Sequence, residues 1–161
     1  MVIKIRKATK EDIEKLWEFE KENRLYDRKI LGKKFKNFFL WGIGDKERFN
    51  WVNNMKKIFA KKNYSIMVVE KGKELIGYSI GIIYDFQNPK KIGHIKEFFI
   101  TKDYRGKGLS SRLMKEMINW FKSKGIKYIS LEVFGKNKEV IKIYENFGFE
   151  PFSIHMKKIL K

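Results

Sequence analysis

The stretch that decides the fold runs from Ile95 to Met114, "IKEFFITKDYRGKGLSSRLM". Residues 92–101, which open it, form an apolar run with strand character. Leu109, Leu113, Met114, Met117, Trp120 and Phe121 then recur at helical spacing, up to Lys124-Gly125, where glycine suits a helix C-terminus. Between the two lies "KDYRGKGLSS" (102–111), with a glycine on each side of Lys107. A strand that turns straight into a helix offers successive backbone N–H groups and a positive helix end to an anion. Glycine lets a phosphate approach that backbone closely.

Three phosphate motifs compete for the turn. A Walker A loop needs G-x-x-x-x-G-K-[ST], and no glycine here is followed by lysine and then serine or threonine. Gly106, Gly108 and Ser111 approximate a Rossmann fingerprint, with Glu132 near the position of its ribose-binding acid. Serine replaces the third glycine, however, and an antiparallel meander stands upstream where a doubly wound parallel sheet should begin. The third pattern, R-x-x-G-x-[GA], is met by Arg105 and Gly108, with Ser110 as the small last residue.

Working outward, residues 2–8 alternate as a strand. Thr9 and Asp12 have capping-box spacing, and Ile13, Leu16, Trp17 and Glu20 mark a helix to about Asn23. Residues 24–44 give a mixed signal. A second helix is expected over 45–62, with Phe49, Val52, Met55 and Phe59 on one face. Residues 64–70 and 74–86 flank Lys71-Gly72-Lys73 as a hairpin. A loop covers 87–91. Downstream, 127–134 reads as a strand, Asn137 as the cap of a helix carrying Tyr144 and closed by Gly148, and 151–160 as a last strand. The order is β-α-α-β-β-β-α-β-α-β: one domain over 1–161, an α+β (mixed α/β) fold with a mixed, mostly antiparallel sheet flanked by helices.

Composition narrows the chemistry. The chain lacks cysteine, which removes disulfides, thiolate metal sites and a covalent cysteine intermediate. Its two histidines, His94 and His155, are too few and too far apart for a histidine-rich metal site, so no metal is expected. No apolar run approaches the roughly 20 residues of a membrane span. The opening residues do not read as a secretory leader, and the expected location is the cytoplasm. Lys and Arg exceed Asp and Glu by 37 − 19 = 18, a field that attracts phosphorylated ligands, acidic proteins or nucleic acid. The lysines are spread along the chain, and no nucleic-acid motif accompanies them.

Downstream of the turn, "NKEVIKIYENFGF" (137–149) matches N-x-x-A-x-x-x-Y-x-x-x-G-F at Asn137, Tyr144, Gly148 and Phe149, with Val140 in place of alanine. Together with the glycine turn and the element order, residues 92–149 resemble the GNAT superfamily of acetyl-CoA-dependent N-acetyltransferases. Within that block "EFFITKDYRGKG" (97–108) is most similar to the polyamine acetyltransferase branch.

The resemblance implies a coenzyme A thioester and an amine as partners, with no membrane. Backbone amides of Arg105, Gly106, Lys107, Gly108, Leu109 and Ser110 would cradle the coenzyme pyrophosphate, helped by the Arg105 or Lys107 side chain. Backbone groups of Phe98, Phe99 and Ile100 would meet the pantetheine and the thioester carbonyl. Tyr144 would be the general acid for the departing thiolate, although an apolar helix also explains a core tyrosine. Asn137 would reach the coenzyme, or serve only as a cap. Glu97 is the first choice of general base, His94 the second, and a water relay the third; a charged Lys96 cannot serve. Without cysteine, direct attack in a ternary complex is the expected route. Phe35, Phe38, Phe39 and Trp41 fall where the family shapes its acceptor site, and read equally as core or as a homodimer contact. The rival functions are a basic nucleic-acid or ribosome-binding module, and a coenzyme A-binding GNAT fold without catalysis.

Overall fold

The structure is a computed structural model that describes residues 2–35, 42–86 and 90–159. Five strands form one sheet in the order of the chain: β1 (Ile3–Lys7), β2 (Tyr64–Lys71), β3 (Glu74–Asp85), β4 (Lys91–Ile100) and β5 (Ile129–Leu131). The first four pair antiparallel, and β5 pairs parallel to β4. The mixed, mostly antiparallel sheet read from the sequence is therefore present. Gly72, at φ 63°, makes the β2–β3 turn.

Helices cover both faces. On one lie α1 (Ile13–Phe35) and α2 (Asp45–Ile58), where Leu16, Phe19, Val52, Met55 and Ile58 pack on Val68, Tyr78, Ile80 and Phe99. The other carries α3 (Leu109–Ser123), whose Leu113, Met114, Met117 and Phe121 are fully buried against Val69, Ile76 and Ile95. Burial from both sides explains why β2 and β3 read as nearly continuous apolar runs. Among the described residues no helix is long and apolar enough to cross a membrane.

Four expectations need correction. α1 continues past Asn23, because residues 24–31 are mostly good helix formers and Leu31 finds a buried place; the helical geometry breaks only at Gly32, at φ 70°. α2 ends at Ile58, and Phe49 faces solvent while Val52, Met55 and Ile58 are buried. The strand expected over 127–134 is confined to Ile129–Leu131, because β4 offers it a partner only from Gly93 to Ile95. The last strand, expected over 151–160, is absent from the described part of that segment: residues 151–159 belong to no strand of the sheet.

Candidate functional site

The divergence of β4 from β5 creates the site. Their pairing stops at Ile95–Leu131, so from Lys96 to Ile100 the β5-side edge of β4 is bare among the described residues. On its other edge β4 stays paired, Ile100 opposite Gly77, Phe99 opposite Tyr78 and Phe98 opposite Ser79. Backbone groups on the open edge thus stand ready for an extended ligand, which a sheet interior would not allow. The side chains of Phe99 and Ile100 are buried in the two cores, so these residues offer a ligand only their main chain.

A bulge at Lys96 aims the next residue. Ile80 pairs with Glu97 and Gly81 with Ile95, which leaves Lys96 without an opposite number and exposed. The inserted residue reverses the alternation. Ile95 faces α3, whereas Glu97, opposite core residue Ile80, turns toward α1. Burial pushes the half-buried Glu97 carboxyl up to about 8, and the charge of Glu20 adds to the effect.

Beyond Ile100 the chain makes a single 3-10 turn (Lys102–Tyr104) and enters the glycine segment. Gly106 and Gly108 have φ of 72° and 74°, values that a side chain strains to adopt. A Cβ on either would meet nothing within 4 Å, so the turn has open space beside both glycines. Gly108 is the N-cap of α3; no side chain caps the helix and its first turn carries no acid. The uncapped N–H groups and positive helix end suit a phosphate, and the open turn leaves room for it, so these residues fit the coenzyme pyrophosphate. Leu109 is buried and leaves only its main chain open to a ligand, while Ser110 is half-buried. Arg105 donates from Nε to the Ile100 carbonyl at 2.8 Å and lies over the Phe99 ring. Lys107 donates from Nζ to the Asp103 carbonyl at 2.9 Å. Both side chains therefore brace the loop.

α4 (Lys138–Glu145) supplies Tyr144 from the far side of the gap. Asn137 is buried and caps this helix, its Oδ1 accepting from the Val140 N–H at 3.4 Å. Tyr144 packs edge-on against Phe98 (ring centroids 6.5 Å) and Phe149 (6.0 Å). Burial, then the charges of Glu97 and Asp27, push its hydroxyl up to about 12. His94 sits in the closed part of the edge, opposite Ser130, with Nδ1 2.9 Å from the Ser130 hydroxyl; burial lowers its pKa. The structure thus brings Glu97, Phe98 and Tyr144 to the gap and leaves His94 engaged elsewhere.

Three α1 residues lie beside Glu97 in a way the sequence reading did not foresee. Glu20 is buried, accepting from the Tyr78 hydroxyl at 3.1 Å and from Arg24 Nε at 2.6 Å. Arg24 also donates to the Gly42 carbonyl at 2.8 Å. Asp27 is pushed up to about 6 by burial and by Glu20. A carboxylate at Glu20, on an otherwise apolar helix face, was the available signal. Of the aromatics assigned to an acceptor pocket, Phe38, Phe39 and Trp41 lie outside the described residues, as does the Phe35 side chain.

A family model described as acetyltransferase (GNAT) family matches residues 13–149. The chain is 31% identical over 88 residues to an uncharacterized N-acetyltransferase, YycN, of Bacillus subtilis, covering 55% of this chain and 56% of that one. It is also 31% identical over 81 residues to the spermine/spermidine N(1)-acetyltransferase of the same organism, covering 48% and 53%. These matches thus span about half the length of each relative. Among solved structures, a predicted acetyltransferase with acetyl-CoA from Clostridium acetobutylicum superimposes with a TM-score of 0.74 at 18% identity, covering 98% of this chain and 96% of that one, a likeness of fold.

Proposed function

Because the chain belongs to the acetyltransferase (GNAT) family, we infer that it moves an acetyl group from acetyl-CoA to a primary amine, directly and within a ternary complex. The observation that carries this reading is the bare edge of β4 running into an open, uncapped glycine turn, with Glu97 and Tyr144 on either side of the gap.

On this reading, main-chain N–H groups of Arg105 to Ser110 hold the pyrophosphate, and the open edge at Phe98–Ile100 aligns the thioester. One N–H of that edge donates to the carbonyl oxygen as negative charge develops there. Glu97 takes the proton from the attacking amine. A lysine-like amine, with a pKa of about 10.4, is neutral only about one part in 10³ at pH 7, so a base of raised pKa near the working pH is well matched. The amine nitrogen bonds to the acetyl carbon, the carbon–sulfur bond breaks, and the Tyr144 hydroxyl protonates the leaving thiolate. Tyr144 is protonated at neutral pH, as an acid must be.

Glu20, Asp27 and Glu97 influence one another electrostatically on the α1 side, an acidic corner in a chain with a net charge of +18. The carboxylates of that corner, not the positive charge of the chain as a whole, favour a cationic acceptor with more than one amine, and the likeness to an enzyme named for spermine and spermidine supports the same class. The test is a panel of mono-, di- and polyamines with acetyl-CoA, read as free thiol release. Faster release with polyamines is expected. Coenzyme binding without release on any amine would leave a non-catalytic coenzyme-binding protein, and no coenzyme binding would remove the reading altogether.

A further inference from the structure

One buried ion pair has no part in the transfer so far. Glu20 of α1 is only 6% exposed, and its carboxylate is held at both oxygens. Oε1 accepts from Arg24 Nε at 2.6 Å, and Oε2 accepts from the Tyr78 hydroxyl at 3.1 Å. Tyr78 is itself fully buried. Taking two charges out of water is costly, and well-packed apolar residues of similar volume often stabilise a core as well or better. Folding alone does not account for the pair.

The pair has a direction. The Arg24 guanidinium lies over Trp17, 5.2 Å from the ring centroid, and Trp17 lies 5.7 Å from Trp51 of α2. Arg24 also donates to the Gly42 carbonyl, ahead of α2. Its positive end is thus drawn toward α2. Tyr78 draws the negative end the other way, onto β3. Tyr78 stands opposite Phe99, and two residues along β3, on the same face, Ile80 stands opposite Glu97. Glu20 from the helix and Glu97 from the strand therefore reach into the same layer between α1 and the sheet.

We propose that Glu20 is a positioning residue of the transfer: fixed by Tyr78 and Arg24, it holds negative charge behind Glu97 and keeps that carboxylate basic enough to take a proton from an ammonium group. This rests on Glu97 being the general base. An ordinary carboxylate is a weak base toward an amine, and a second carboxylate fixed nearby strengthens it by disfavouring its ionised form. Other groups face Glu97 as well. Lys96, its neighbour on β4, and Arg24 act against Glu20, and Asp27 of α1 acts with it. Tyr78 of β3 and Tyr144 of α4 stay neutral at working pH. Among these charges Glu20 acts most strongly on Glu97. Lys96 is exposed to solvent, whereas Glu20 is buried and little screened.

The test reads Glu97 twice in the full chain. One reading is the carbon-13 NMR titration of its side-chain carboxyl, assigned with E97Q. The other is the pH dependence of kcat/KM with acetyl-CoA and the amine of the panel that reacts fastest. Glu20→Gln keeps the shape, removes the negative charge and leaves that of Arg24, so both midpoints are expected to fall by about one pH unit. E20Q/R24Q removes the pair as a unit and leaves neither charge buried alone, which protects folding if E20Q does not fold. Its midpoints are expected between those of E20Q and the parent. A pair that merely braces α1 would change the melting temperature and leave both midpoints in place. That result would overturn the proposal, yet Glu97 would remain the base if E97Q abolishes the rising limb. A carboxyl titration that moves while the pH–rate limb stays would overturn both, because the base would then lie elsewhere.

Discussion

Phe98 meets Tyr144 edge to face, with ring centroids 6.5 Å apart and planes at 77°. This contact spans the gap between β4 and α4 and fixes where the tyrosine hydroxyl can point. The ring needs only its shape for that contact, whereas acid catalysis needs its hydroxyl. Tyr144→Phe is therefore expected to keep the packing and the affinity for acetyl-CoA while lowering kcat about 10²-fold. Calorimetric titration with the coenzyme and a thiol-release assay separate the two. Unchanged turnover would reduce Tyr144 to a packing residue.

The glycine turn separates a folding cost from a binding cost. At Gly108 an added Cβ touches nothing within 4 Å, so Gly108→Ala costs stability only through its left-handed backbone, about 1–2 kcal/mol. The same methyl group intrudes where the pyrophosphate is proposed to lie. Coenzyme affinity is expected to fall at least tenfold, more than the thermal shift alone would suggest. A variant that melts earlier but binds acetyl-CoA as the parent does would show that the turn is merely a turn.

How far the site was legible depends on which interactions stay local. The glycine turn is a matter of a few consecutive residues, so its place between β4 and α3 could be read directly; so could the helix that Asn137 caps. The aim of Glu97 could not, because it depends on a bulge that exists only in the pairing of β4 with β3. The shortness of β5 has the same origin: Glu132 and Val133 continue the stretch read as a strand but have no neighbouring strand among the described residues. In the sequence Glu20 marks only helical spacing, since its partner Tyr78 lies on β3, far away in the chain. Residues 150–159 show the opposite case, a strand pattern without a strand.

Two glycines of the sheet exist to admit α3. A Cβ on Gly93 would lie 2.6 Å from Cδ1 and Cε1 of Phe121, and one on Gly81 2.5 Å from the Met117 sulfur. Phe121 is fully buried, so Gly93→Ala must displace a ring with nowhere to go, at about 1–3 kcal/mol. Phe121→Ala removes the ring and is expected to cost about 3–5 kcal/mol. Because each change creates the room or the bulk that the other lacks, the double variant should lose less than the sum of the two. Urea titrations of the four proteins measure this. Strict additivity would mean that the two positions do not share the space.

Glu97 ties stability and turnover to the same proton with opposite signs. Its folded-state pKa, raised to about 8 chiefly by burial and then by Glu20, lies above the ordinary value of 4.5. The folded protein therefore holds this proton more tightly than the unfolded chain does. The resulting stability is fully present below about pH 4.5 and is lost as pH rises toward 8. Asp27, raised to about 6, adds a loss of the same sign in a lower window. A general base must instead be deprotonated, so kcat/KM is expected to rise with pH through an apparent pKa near 8, just as stability falls. Glu97→Gln keeps the shape without the titration. It should melt progressively higher than the parent as pH increases from 5 to 8, while its rate drops about 10²-fold and loses that rising limb. If the melting difference appears but the pH–rate profile matches the parent's, Glu97 is a buried acid and the base lies elsewhere. If neither changes, the carboxyl is solvated, and the reading of the gap as a place where an amine gives up its proton loses its main support.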